Sequence, residues 1–463
     1  MINAMPLNKS MPTAPSNQIP WRVLIILFGL IALSALLSTQ RVAKSVDLTS
    51  VNIAATLIKT DIYTTGQKTE PGTPPAAGYD HPPGYPAIIS AVAMLDPNSG
   101  QYLDCLGQRR TDCPNAITAN AVIGLQIIAV CVSLFLVFLI TMELTNDREI
   151  ATFTLILFAL CSRMVGFSTI LWPHVFVTTL QLAACYYILL SCTRQKIHFA
   201  ALAGICFGLA ALFRPALALA PFIIAPIILI RDRHHPGRSI TKAVLLIGTT
   251  ALVLAPWLMR NYIQFEDFAI TQYYSADLLA KRVAYNNLNF VEWTAAFITW
   301  IPEFGDGFAS LIYAPETIDR LSNSLPQGII NEDGKRILTE GLRGENIAGP
   351  FWFIFDAYVI KQPIAYLLAI PPVFMHGFWG SGSILGLAGF IALFPLIRRL
   401  NSTGKTEPFT LVLWSFFASL IAQSLCSPNL HFLNDQMLFI HAYAIAHVTG
   451  GLELPRILRR AIN

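Results

Sequence analysis

The sequence predicts an all-α polytopic membrane protein of about ten transmembrane helices, with amphipathic interfacial helices in two large external loops. Three observations lead there. Of 463 residues, 54% are hydrophobic and only 13% charged, with mean hydropathy +0.55. Soluble domains carry about 25% charged residues, so much of this surface is suited to lipid. Apolar runs approaching the roughly 20 residues needed to cross a hydrocarbon core recur along the chain. The basic residues lie in short loops between those runs and form no stripe. The net charge of +4 therefore reads as positive-inside bias, not as a nucleic-acid footprint.

The elements follow in order. Residues 1–20 read as a cytoplasmic tail. A first span covers about 21–39; no A-x-A-like cleavage site follows it, so it reads as an uncleaved anchor. A polar segment, 40–114, is the first external loop. Further spans cover about 116–144, 150–167, 170–192, 198–213, 215–230 and 243–259. The second external loop is 260–362. The last spans are about 381–397, 409–426 and 436–452, followed by a tail, 453–463. With both termini cytoplasmic, "NDRE", "TRQKIH", "RDRHHPGRSITK" and "RRLNSTGK" all fall inside. The stretch 363–380 is apolar but interrupted by Pro371 and Pro372, so it reads as interfacial or re-entrant. Residues 21–452 thus form a single transmembrane domain in the inner (plasma) membrane.

Cys131, Cys161, Cys185, Cys192 and Cys206 lie in or beside apolar runs and read as small hydrophobes; Cys426 ends a late run. Cys105 and Cys113 flank "LGQRRTD" in the first external loop, a spacing that can close a short disulfide in an oxidising compartment. Two cysteines do not make a four-ligand zinc site.

The first external loop holds the candidate chemistry. Val51, Ala54, Ala55, Ile58 and Ile62 recur at helical spacing, as in an amphipathic helix lying on the membrane surface. Asp47 stands at its N-cap position. It reads either as a cap alone or as a carboxylate held at the membrane boundary, with Asp61 and Asp80 as competing acids. The segment "YDHPPGYPAI", 79–88, is proline-dense and cannot continue a helix until "AIISAVAML" begins. It can turn the chain back towards the membrane and wall the acids, making Tyr63, Asp80, His81 and Tyr85 candidate substrate contacts alongside Asp61. Arg214 in "FRPA" and Arg260 in "PWLMRNY" end spans on the external side, against the usual charge bias. Each reads either as a snorkelling anchor or, with Lys44 and Lys59, as part of a basic rim for a lipid-linked phosphate.

These segments resemble the GT-C membrane glycosyltransferases, in particular bacterial relatives of the dolichyl-phosphate-mannose–protein mannosyltransferases. The likeness rests on Asp47 and the following helix with "HPPGYP", on "ALAGICFGLAALFRPALAL", on "LVLAPWLMRNYIQFEDF", and on the layout of spans with a large first external loop. It covers roughly residues 20–270 and fades beyond. Three positions depart from the family pattern: Val51 replaces a tyrosine, His174 in "LWPHVF" replaces a glutamate, and "HFLNDQMLFIHAY" lacks an arginine.

The resemblance implies inverting sugar transfer from a polyprenyl-phosphate donor to a glycan, lipid or protein acceptor, outside the membrane. Asp47 would accept the acceptor's proton, and Arg214, Arg260 and Lys59 would meet the leaving phosphate. No nucleotide is required, and no Gly-rich phosphate loop is present in the sequence. A divalent metal is compatible but not demanded, since Asp80 and His81 make too small a cluster. Two other classes stay open. A transporter or lipid flippase predicts ionisable residues at span midplanes. Another envelope glycan ligase or polymerase shares external acids and arginines, but not "HPPGYP" and "PWLMRNY" in this order.

Overall fold

The computed structural model describes residues 22–23, 25–30, 46–65, 75–108, 113, 117–160, 166–343, 349–379, 382–403, 406–428 and 435–450. Among them the chain is helical throughout, apart from turns and one isolated parallel bridge, Val46 to Leu171. The first loop contributes α1 (Leu48–Thr60), α2 (Gly84–Ala93) and α3 (Ser99–Gly107). The bundle follows with α4 (Ile117–Thr145), α5 (Arg148–Ala159), α6 (His174–Thr193), α7 (His198–Phe213), α8 (Ala220–Arg231) and α9 (Pro236–Phe265).

The second loop is not a loop in the structural sense. It is a helical cap that includes α10 (Tyr273–Val283), α11 (Phe290–Thr299) and α12 (Ile329–Arg343). Its outset differs from the expected boundary at 260, because α9 runs on to Phe265 and stops where Glu266 turns left-handed. The bundle closes with α13 (Ser383–Thr403), α14 (Thr406–Cys426) and α15 (Asp435–Val448).

Among the described residues, five helices are long and apolar enough to cross a membrane: α4, α6, α9, α13 and α14. Gly349–Ile360 and Pro363–Phe378, bent by 88°, add a sixth if the pair is one broken span. The expected ten or so spans are not reached by this measure. The physical reason is length: α5 has 12 residues, α7 has 16 and α8 has 12, about 18–24 Å against a core of about 30 Å. The expected first span is described only at 22–23 and 25–30, and both tails lie outside the described residues.

Packing explains the small-residue run in α7. Gly204 and Gly208 face α9, and a Cβ on Gly204 would overlap the Thr249 hydroxyl and the Leu246 carbonyl. One on Gly208 would sit 3.0 Å from the Thr250 carbonyl oxygen. Thr249 and Thr250 then donate to the carbonyls of Ala201 and Gly204, each at 2.9 Å. Small residues that let backbones touch, with hydroxyls bridging them, are how helices associate where lipid offers no hydrophobic drive. This contact fixes the end of α7, and with it Arg214.

The helix expected at α1 forms, and protein covers much of its apolar face. Val51, Ala54 and Ala55 pack into a small core with Tyr85 and Ile89 of α2 and Leu103 and Leu106 of α3. Both α2 and α3 supply complementary apolar surface within the same loop. Cys105 of α3 and Cys113 form a disulfide.

Candidate functional site

Asp47 is set in place from both sides of its peptide. Its N–H donates to the Leu171 carbonyl at 3.0 Å. The segment carrying Leu171 is itself pinned by Gln126 of α4, fully buried, whose amide donates to the carbonyls of Phe167, Ser168 and Ile170. Tyr85 donates its hydroxyl to the same Gln126 at 2.8 Å. Tyr85, expected as a substrate contact, is therefore a buried strut beneath the site.

The Asp47 side chain caps α1, accepting from the Ser50 N–H at 3.2 Å and the Ser50 hydroxyl at 2.7 Å. His81 Nε2 lies 3.5 Å from the carboxylate and 3.2 Å from Ser50 Oγ. Burial alone pushes the Asp47 carboxyl upward. The hydrogen bond and charge of His81, followed by the Ser50 bonds, outweigh it, and the net shift is below the ordinary value. Asp47 is thus a carboxylate, able to accept a hydrogen bond from an incoming hydroxyl.

Arg214 lies at the end of α7, in extended backbone enforced by Pro215. It is 7% exposed. Its guanidinium donates to Gln423 Oε1 of α14 at 3.3 Å and to His174 Nδ1 of α6 at 2.9 Å. A guanidinium only donates, so His174 presents a bare Nδ1 here.

Asp47, His81, His174, Arg214, Tyr274 and Gln423 line one cavity of about 610 Å³, whose remaining walls are largely apolar, among them Phe167, Trp172, Phe213 and Leu278. A second cavity of about 520 Å³ adjoins it and shares His81 and Tyr274. Its other walls are polar: Thr49, Asn52, Thr65, Asp80, Tyr273 and Asp277. Burial raises the Asp80 carboxyl above its usual value against the Thr65 hydrogen bond and the charge of His81.

"HPPGYP" builds the wall between α1 and α7. Gly84 lies against Phe213, where a Cβ would come within 3.0 Å of the ring. Tyr63 donates to the His81 carbonyl at 2.8 Å, and the Tyr274 N–H to that of Asp80 at 3.0 Å. Tyr63 thus acts on the wall's backbone and lines neither cavity.

Three expected site residues lie elsewhere. Arg260 donates to the Gly78 carbonyl at 2.8 Å and stacks near Trp257, 4.7 Å from its ring, bracing the first loop. Lys59 pairs with Asp104 near the other end of α1, twelve residues or about 18 Å from Asp47. Asp61, exposed and left-handed, ends that helix. Lys44 lies outside the described residues. Gln423 and Tyr274 are site residues that sequence reading missed. Among the described residues, no group of three His, Cys, Asp or Glu side chains is gathered to hold a metal.

Helices and bundle define the fold: among the described residues, helices long and apolar enough to cross a membrane are arranged as in the archaeal oligosaccharyltransferases. Residues 116–259 match the family described as dolichyl-phosphate-mannose-protein mannosyltransferase. The archaeal oligosaccharyltransferase AglB from Archaeoglobus fulgidus, in complex with an inhibitory peptide and a dolichol-phosphate, superposes with TM-score 0.51 at 14% identity, over 96% of this chain and 52% of that one. The A. fulgidus oligosaccharyltransferase tethered to an acceptor peptide gives TM-score 0.52 at 14% identity, over 96% and 51%. The chain spans about half the length of these archaeal enzymes. ArnT from Cupriavidus metallidurans bound to undecaprenyl phosphate superposes more loosely, with TM-score 0.39 and 11% identity over 93% and 78%. No curated protein matches the sequence.

Proposed function

We propose that the protein transfers a sugar from a polyprenyl-phosphate donor to a hydroxyl acceptor, inverting the anomeric centre, at the outer face of the cell membrane. The observation that carries this is the shared cavity: an ionised Asp47 and a buried Arg214 in walls that are otherwise largely apolar. A lipid phosphate sugar needs such a mixture. The isoprenoid takes the apolar walls, and the phosphate takes the guanidinium and the N-terminus of α6 beside it. The A. fulgidus enzyme that shares the fold is itself complexed with a dolichol-phosphate.

The chemistry balances in one displacement. The acceptor oxygen attacks the anomeric carbon, and the bond from that carbon to the phosphate oxygen breaks. The phosphate leaves with the electron pair towards Arg214, whose fixed charge is strongest where water is excluded. The hydroxyl proton passes to Asp47. The polar cavity, with Asn52, Asp80, Tyr273 and Asp277, receives the acceptor, and His81 and Tyr274 stand between the two substrates. Arg260 and Lys59 support this site from a distance.

The test is reconstitution of the full chain in lipid nanodiscs with radiolabelled polyprenyl-phosphate mannose and glucose and a panel of glycan, lipid and peptide acceptors. Label should leave a donor and appear on an acceptor. If no label leaves any donor, the transferase reading is wrong and a transporter or flippase reading takes its place.

A further inference from the structure

His81 has no assigned part in the reaction as described, yet it stands, with Tyr274, where the two cavities meet. Its hydrogen-bond state can be read from its neighbours. The Ser50 hydroxyl has one proton, and Asp47 Oδ2, an acceptor only, takes it at 2.7 Å. Ser50 Oγ, 3.2 Å from His81 Nε2, can then only accept. His81 Nε2 therefore carries a hydrogen and points it at the Ser50–Asp47 pair. The ring is held for this by its edge-to-face contact with Tyr274, with centroids 5.1 Å apart, and its backbone is held by the Tyr63 hydroxyl.

We infer that His81 is the positioning residue of the base: its Nε2–H holds the Ser50–Asp47 pair at the boundary between donor and acceptor cavities. This rests on the transferase reading and deepens it. Without the imidazole, Asp47 keeps its burial and the Ser50 bonds but loses the largest group opposing that burial. Its carboxyl then holds a proton at higher pH. The other charged or titratable groups facing His81 are Asp80 from its own segment, Tyr274, Tyr273 and Asp277 from α10, and Arg214 and His174 across the apolar cavity. None of these donates to Asp47 in the structure, so none substitutes for the imidazole.

The experiment compares wild type, His81→Ala and His81→Gln, as full chains in nanodiscs. Glutamine places a non-titrating amide N–H near the position of Nε2. Two readouts are taken: the pH profile of kcat with polyprenyl-phosphate mannose, and the infrared carboxyl stretch of Asp47, assigned by difference against Asp47→Asn. His81→Ala should lower kcat at pH 7 by at least about tenfold, a fraction of the span of acid–base catalysis. Its acid limb and infrared titration should both move to higher pH. His81→Gln should return both towards wild type. If His81→Ala leaves the titration unmoved, or His81→Gln moves it as far as alanine does, the inference is overturned. Should no donor turn over, the transferase reading fails, while the infrared titration still decides the coupling of His81 to Asp47.

Discussion

Replacing Arg214 by glutamine removes a 7%-exposed guanidinium that donates to His174 Nδ1 at 2.9 Å and Gln423 Oε1 at 3.3 Å. Two effects have to be separated. In the resting protein, His174 and Gln423 lose a charged donor, and each acceptor left without a partner costs about 1–3 kcal/mol. In the transition state, the leaving phosphate loses a fixed cation in a site with largely apolar walls. Removal of one preorganised donor of that kind costs about 10²–10³ in kcat, about 2.7–4 kcal/mol. Arg214→Lys separates the terms: it keeps the charge but not the planar fork, so its kcat should fall between glutamine and wild type. The assay is the initial rate of sugar release from labelled polyprenyl-phosphate donor, with the thermal midpoint measured in parallel. If folded Arg214→Gln retains kcat within about threefold of wild type, the phosphate role of Arg214 is refuted, because the electrostatic loss is expected to be far larger.

Two further predictions concern the scaffold and the second cavity. Gly204→Ala should destabilise the protein by about 1–3 kcal/mol, since the new methyl overlaps backbone of α9 and the helices must part. Gly248→Ala, where a Cβ meets nothing within 4 Å, is the control, and equal thermal midpoints for the two would contradict the α7–α9 contact. Asp80→Asn should raise the thermal midpoint at neutral pH, with the gain fading in acid. The sign follows from linkage: the folded carboxyl lies above its unfolded value. Ionising Asp80 therefore costs stability, beginning as pH rises through the unfolded value and complete above the folded one. A gain that persists below the unfolded carboxylate range, or a loss at neutral pH, would contradict the burial account.

How much of this was legible in the sequence depended on the range of the interaction. Asp47 was visible because a helix cap is local: an acid, then Ser50 three residues on, then an apolar helix face. Arg214 was visible because Arg-Pro ends a small-residue run. Arg260 was equally prominent but is placed differently. The helix that carries it continues to Phe265, so the side chain meets the Gly78 carbonyl instead of the cavity. Lys59 shares a helix with Asp47 but sits near its far end, beside Asp104 of α3. Gln423 and Tyr274 could not be found by local reading, since α14 and α10 reach the site only through tertiary packing. The Gly204–Gly208 spacing was a usable signal of close helix approach. The span count of about ten is not confirmed among the described residues for a related reason: α7 and α8 are separated by the 3-10 turn Pro215–Leu219, and neither is long enough alone.

The central claim is that Asp47 serves as the base in sugar transfer, and Asp47→Asn tests it most directly. Asparagine caps helices about as well as aspartate, so α1 should persist while the proton acceptor is lost. The measurement is the rate at which labelled sugar leaves a polyprenyl-phosphate donor in nanodiscs, variant against wild type. The account predicts a fall of about 10²–10⁴ with the fold intact. A folded Asp47→Asn protein that transfers sugar at the wild-type rate would contradict it.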